Sequence, residues 1–228
     1  IRMRLVGSEM CIRDRGGTSI GRPYGGGSFS VSSEGEISYT LTSPYHPADI
    51  GYYEGNSFKR LTNLNNDLFR GKDLGVIEEI WYNSSVDGRK IQGWIAKPPG
   101  FDKEKKYPLI VENHGGPISN YGDRFSPEIL LYSAAGYVVF YPNPRGSTSY
   151  GEEFGNLLYR NYPGDDYHDV MDGVDKMLEL GYIDIENLFV TGGSAGGIMT
   201  AWIIGKTDRF KASAVIKPVM NWISKTLV

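Results

Sequence analysis

The chain is poor in the residues that define several kinds of protein. It holds one cysteine, Cys11, among 228 residues, which excludes an internal disulfide framework and any multi-cysteine metal site. No run approaches the ~20 consecutive apolar residues of a membrane span, so no membrane partner is expected. Twenty-four Lys and Arg stand against 27 Asp and Glu, for a formal net charge of −3. That balance fits neither a basic nucleic-acid footprint nor a polyanionic tail. The 16 tyrosines and four tryptophans do not interleave with a basic stripe, so nucleic acid is not an expected partner either. Histidine is scarce: His46, His114 and His168 are the three. Glycine is abundant, and 30 glycines without a G-X-Y period signal many tight turns rather than collagen.

The first residues stand apart. Leu5 to Arg15 resembles a translated sequencing adapter, with neither a strand nor a helix period, and it joins Gly16-Gly17 abruptly. A signal peptide would need an apolar core, which Glu9, Arg13, Asp14 and Arg15 interrupt. Residues 1–16 are therefore expected to be an artefact outside the fold, and the chain a fragment of a longer protein.

From Gly17 to about residue 75 the pattern is short, polar and turn-rich. Phe29 to Ser32 and Glu36 to Thr42 alternate apolar and polar residues, as antiparallel strands do. Pro44, Pro47 and the turn at Glu54 to Asn56 punctuate the rest of this stretch. It amounts to little more than one propeller blade, and no second copy of a repeat accompanies it. The texture changes near Asp73 to Glu79. Glu79–Asn83 and Lys90–Ala96 flank Asp87-Gly88, a hairpin signal. Tyr107–Glu112, Tyr137–Tyr141, Asn187–Thr191 and Ala212–Ile216 read as strands. Pro127–Ala135, Asp165–Leu180 and the run from Ala195 read as helices. Val170, Val174, Met177 and Leu178 share one face of the second helix. This alternation predicts an α/β fold with a parallel sheet and helices on its faces.

Gly192-Gly-Ser-Ala-Gly196 carries the chemistry. It has the form G-x-S-x-G, between an apolar strand and an apolar helix, and places Ser194 on a sharp strand-to-helix turn. Small residues at Gly192, Gly196 and Gly197 keep that turn free of collisions and leave the hydroxyl exposed. The helix amino terminus adds positive potential beside it. The glycine spacing is not the G-x-G-x-x-G of a dinucleotide site, and no Walker lysine follows. His114-Gly-Gly-Pro117 follows a buried strand where a hydrolase of this kind places its oxyanion loop, so backbone N–H groups of Gly115, Gly116 and Ala195 are the expected donors. His114 is expected to shape that loop by hydrogen bonding. In such hydrolases the triad runs Ser, then Asp or Glu, then His, whereas all three histidines precede Ser194. The acid and base are thus expected to be missing from the chain, which alone should have little activity. His168, Asp165, Asp166 and Asp169 read as a solvated helix start rather than a metal cluster, and no metal or cofactor is expected.

With these motifs in place, the chain resembles the prolyl oligopeptidase family of serine peptidases, in particular its acylaminoacyl-peptidase-like branch. The matching stretches are Lys106-Tyr-Pro-Leu-Ile, His114-Gly-Gly-Pro117, Gly136-Tyr-Val-Val, Asn143-Pro-Arg-Gly-Ser-Thr148 with Tyr150-Gly151, Asp166-Tyr-His-Asp169, Val190-Thr-Gly-Gly-Ser194 and Thr207-Asp-Arg-Phe-Lys-Ala212. The resemblance implies a catalytic α/β-hydrolase domain, truncated here at its C-terminus, over residues 76–228. Residues 17–75 would be the end of a preceding β-propeller. It further implies a peptidase acting on short peptides, with Ser194 as nucleophile. Where the family usually has a large aromatic after the serine, this chain has Ala195. An esterase on the same scaffold and a non-catalytic binding protein are the other readings.

Overall fold

The computed structural model describes residue 23, residues 27–54 and residues 57–226. The adapter-like segment 1–16 with Cys11, and residues 55–56 of the turn expected after Glu54, lie outside the described residues. In chain order the elements are β1 (Phe29–Val31), β2 (Ile37–Ser43), β3 (His46–Glu54), β4 (Ser57–Arg60), α1 (Asn66–Phe69), β5 (Val76–Asn83), β6 (Lys90–Lys97), β7 (Tyr107–Asn113), α2 (Pro127–Ala134), β8 (Val138–Asn143), α3 (Glu152–Asn156), α4 (Asp166–Glu179), β9 (Ile183–Gly193), α5 (Ala195–Ile204), β10 (Ala212–Ile216) and α6 (Trp222–Thr226). They divide into two units. One comprises the residues up to Leu74 together with Tyr121–Leu130; the other comprises Gly75–Asn120 and Leu131–Val228.

In the first unit β1 to β4 pair with their neighbours in sequence, all antiparallel. Ile37 and Tyr39, two apart on β2, face the same way and form a small core. β3 was hidden in the sequence by Pro47 and Asp49. The ladder shifts register between Leu41 and Ser43, and an irregularity of that kind tolerates the missing donor of Pro47. Asp49 is buried in mid-strand because its carboxylate is well supplied with donors. The Thr62 hydroxyl donates to it at 2.7 Å, the Leu64 N–H at 3.0 Å, and the Arg60 guanidinium pairs with it.

The second unit is built on a six-stranded sheet in the order β10-β9-β7-β8-β6-β5. The four strands β10, β9, β7 and β8 run parallel, while β6 and β5 form the expected antiparallel hairpin at one edge. Every residue of β8 is buried, as a strand covered on both faces must be, and this is why it reads as a plain apolar run. α4 lays Val170, Val174 and Met177 into the core, with Leu178 half-buried beside them. α3 went unread because five residues are too short to show a helical period.

Register fixes where function can sit. Asn113 at the end of β7 pairs with Gly192 on β9, and Gly193 pairs with Ile216 at the end of β10. The loop after β7 and the turn after β9 therefore emerge together at the carboxyl edge of the sheet, where ligands bind in open α/β folds.

Candidate active site

Ser194 occupies the junction between β9 and α5, with φ 59° and ψ −118°. A non-glycine residue with that positive φ is strained, and the strain persists only because the neighbouring structure holds it. Residues 190–193 and 195–200 are all buried, while Ser194 is exposed. Its N–H donates to the Ile216 carbonyl at 3.0 Å, and its own carbonyl accepts from the Ile198 N–H at 3.0 Å. The side chain is thus lifted off a rigid, buried bend.

Glycine is required at the bend by close approach. A Cβ on Gly196 would sit 2.0 Å from the Asn113 carbonyl oxygen and 2.8 Å from that of His114. The elbow and the start of the 114–117 loop are therefore in backbone contact. In that loop Gly116 has φ +127° and precedes a cis bond to Pro117. Ala195 is the first residue of α5, where backbone N–H groups have no partner within the helix. The structure thus sets the sequence-selected residues Gly192, Ser194, Ala195 and Gly196 against the start of the loop that carries Gly115 and Gly116.

His114 is 7% exposed and both of its ring nitrogens are engaged. Nδ1 lies 2.8 Å from the Gly115 carbonyl oxygen, and Nε2 lies 2.9 Å from the Ser147 hydroxyl. The Ser147 hydroxyl also lies 2.6 Å from the Pro144 carbonyl, and its one proton is shared between that oxygen and Nε2, the acceptor nitrogen of a neutral ring whose Nδ1–H donates to Gly115. Burial lowers the His114 pKa to about 4, outweighing the Gly115 carbonyl, which favours the protonated ring. The imidazole is a brace between two loops, neutral at neutral pH. His168 is exposed on α4, and His46 belongs to the first unit.

One expectation fails. Asp166 and Asp169 are not solvated: they are 2% and 0% exposed. Arg145 reaches Asp169 with Nε at 2.9 Å, Nη2 at 2.9 Å and its backbone N–H at 2.8 Å, and Nη2 also donates to the Ser84 hydroxyl at 2.9 Å. Burial opposes the Arg145 charge, but Asp169, with Asp87 and Asp165, holds its pKa above the ordinary value. Asp166 accepts from the Gly164 N–H at 2.6 Å. Burial raises its pKa to about 7 and the Asp169 charge adds to the rise, against backbone N–H groups that lower it. The signal was present in the sequence, since positions 166, 169, 170, 173, 174 and 177 share the buried face of α4. No group of three or more His, Cys, Asp or Glu arranged to hold a metal occurs among the described residues. Tyr162 was also missed: its hydroxyl donates to the Ala195 carbonyl at 2.8 Å.

Comparison with known proteins bears on this arrangement. Residues 123–228 match the prolyl oligopeptidase family (Peptidase_S9), and residues 76–165 match acetyl xylan esterase (AXE1). The chain is 42% identical over 200 residues to an uncharacterized peptidase, YuxL, of Bacillus subtilis (strain 168), covering 86% of this chain and 30% of that protein. It is 34% identical over 181 residues to dipeptidyl-peptidase 5 of Schizosaccharomyces pombe, covering 78% of this chain and 26% of the relative. Among solved structures, Pyrococcus horikoshii acylaminoacyl peptidase matches with a TM-score of 0.79 and 29% identity, over 88% of this chain and 32% of that one. The chain thus spans about a third or less of the length of the proteins it matches. With its exposed, strained serine at a glycine elbow, on a mixed sheet like that of these peptidases, the stretch 123–228 is a prolyl oligopeptidase family domain.

Proposed function

We propose that the chain carries the nucleophile and oxyanion hole of a serine peptidase that hydrolyses short peptides through an acyl-enzyme. The supporting observation is the conformation of Ser194, strained and exposed amid buried neighbours. In this reading Ser194 Oγ attacks the scissile carbonyl, its proton passing to a base and then to the departing amine; water afterwards releases the acyl group. Negative charge on the carbonyl oxygen is received by the N–H of Ala195 and by N–H groups of Gly115 and Gly116. Loss of one such donor typically costs ~10²–10³ in rate, less than the ~10⁶ of losing the base, so damage to the 114–117 loop should slow the reaction without abolishing it.

The base and its acid partner are assigned to a part of the longer protein outside these residues. No histidine follows Ser194, and His114 is committed to its two loop contacts. The chain alone is accordingly read as inactive. Residues 76–228 are read as the N-terminal part of an α/β-hydrolase domain. Residues 17–75 are read as the end of a β-propeller, a reading supported by the four-stranded meander β1 to β4. The match of residues 76–165 to acetyl xylan esterase favours an esterase as second reading.

The test is to express the full-length protein and titrate it with a fluorophosphonate probe. Stoichiometric labelling that disappears in Ser194→Ala is expected; a folded protein that stays unlabelled removes the nucleophile. Relative rates on aminoacyl anilides and simple nitrophenyl esters then separate peptidase from esterase.

A further inference from the structure

The elbow has little of its own to hold it in place. Residues 192–197 are Gly-Gly-Ser-Ala-Gly-Gly, with no side chain larger than a hydroxymethyl. Its anchors are hydrogen bonds to the backbone. Ile216 holds the Ser194 N–H at 3.0 Å, and the Thr200 hydroxyl, one turn along α5, donates to the Gly196 carbonyl at 2.8 Å. Among the described residues, one side chain from outside β9 and α5 reaches residues 193–197 by hydrogen bond. It is Tyr162, whose hydroxyl donates to the Ala195 carbonyl at 2.8 Å.

That hydroxyl is itself well placed. Tyr162 lies on the strap between α3 and α4, where the Gly164 N–H bonds Asp166 at 2.6 Å and the Asn161 amide bonds Asp165 at 3.1 Å. Its ring meets the Trp222 ring edge-on, with centroids 6.2 Å apart. With Ala195, His114, Pro117 and Asp166 it lines a cavity of about 20 Å³ below the elbow. Burial, with the Asp166 charge second, keeps the phenol protonated well above its ordinary range, so it remains a donor.

Resting on the nucleophile reading above, we infer that Tyr162 is a positioning residue of the oxyanion hole. By holding the Ala195 carbonyl it fixes the first turn of α5, and with it the direction in which the Ala195 N–H points. An oxyanion donor works only within about 2.7–3.1 Å of the developing charge, and a ~1 Å misplacement can cost ~10²-fold in rate. A residue that only stabilises the fold would alter melting and leave the kinetic constants alone. A residue that forms a pocket wall would alter KM.

The test uses Tyr162→Phe in the full-length protein, which keeps the ring and removes the donor. On an aminoacyl anilide kcat should fall ~10- to 100-fold with KM within ~2-fold. A peptide aldehyde, whose serine adduct places an oxyanion in the hole, should lose affinity by a similar factor, while the product peptide binds as before. An unchanged kcat, or a loss carried by KM and product affinity, overturns the inference. If the variant does not melt cooperatively, a crystal structure of the wild-type aldehyde adduct decides instead. Tyr162 Oη should remain bonded to the Ala195 carbonyl, with the Ala195 N–H on the adduct oxygen; a broken bond overturns it. Fluorophosphonate labelling of the wild type separates the two levels. Labelling with an indifferent Tyr162→Phe removes this inference alone, whereas no labelling removes the parent reading and this one with it.

Discussion

At the scale of single residues the site is governed by steric allowance more than by charge. Gly196 lies against two carbonyl oxygens of another strand's end, so a methyl there meets backbone rather than a side chain that can swing away. Gly196→Ala should destabilise the protein by about 3 kcal/mol or more and abolish probe labelling of Ser194. Urea unfolding and a labelling gel check both halves, and a variant of ordinary stability that labels normally would contradict the packing. This level was the most legible from sequence. A G-x-S-x-G between apolar runs has few physical solutions, and Ser194, Gly192 and Gly196 could be named without coordinates. Tyr162 could not. A tyrosine in a loop carries no periodic signal, and its hydrogen bond joins it to a residue on a different element.

Among the elements, α4 is where the polar interior concentrates. Arg145 and Asp169 share a bidentate contact, both almost wholly buried, and tie the loop after β8 to the helix start and to Ser84 after β5. Asp169→Ala would leave a guanidinium buried without its main partner, and a loss of ~3–5 kcal/mol is expected in denaturant unfolding. Asp166 acts in the opposite sense. Its pKa is raised in the fold to about 7 from an ordinary 3.8, so the folded state binds its proton more tightly than the unfolded chain does. Its contribution therefore favours folding least above pH 7, and stability should decline as pH rises between those two values. Asp166→Asn keeps an oxygen for the Gly164 N–H and loses the titration. It should be more stable than the wild type at pH 8, nearly equal at pH 4, and flatter in between; an unaltered pH profile would refute this. Reading the aspartates as a solvated helix start failed for an identifiable reason. Acidic residues at a helix start satisfy the macrodipole equally well in water or in a buried network. Only their position on the same face as Val170, Val174 and Met177 told the two apart. β3 was missed for a related reason, since Asp49 occupies an interior position that alternation reserves for an apolar side chain.

For the whole molecule, the sheet of the second unit is uneven in its exposure. β8 is buried along its length, whereas β10 at the edge is mostly exposed, and Ile110, Tyr137, Phe189 and Ala214 help line an apolar groove of about 270 Å³. Unpaired strand edges and open apolar surface promote association between copies. The 228-residue chain should self-associate at micromolar concentration in sedimentation velocity, and Ser213→Lys on that edge should reduce it; a monodisperse wild-type monomer would contradict the expectation. The parallel order of the sheet was legible from alternating strands and helices, and the hairpin from Asp87-Gly88. The pairing of Asn113 with Gly192 has a consequence for how such a chain is made. The strained serine needs two strands far apart in the sequence to have found each other, a contact that local folding cannot supply. In a nascent or partly folded polypeptide that elbow is unformed, so the exposed, strained position of Ser194 waits on the pairing of β7 with β9.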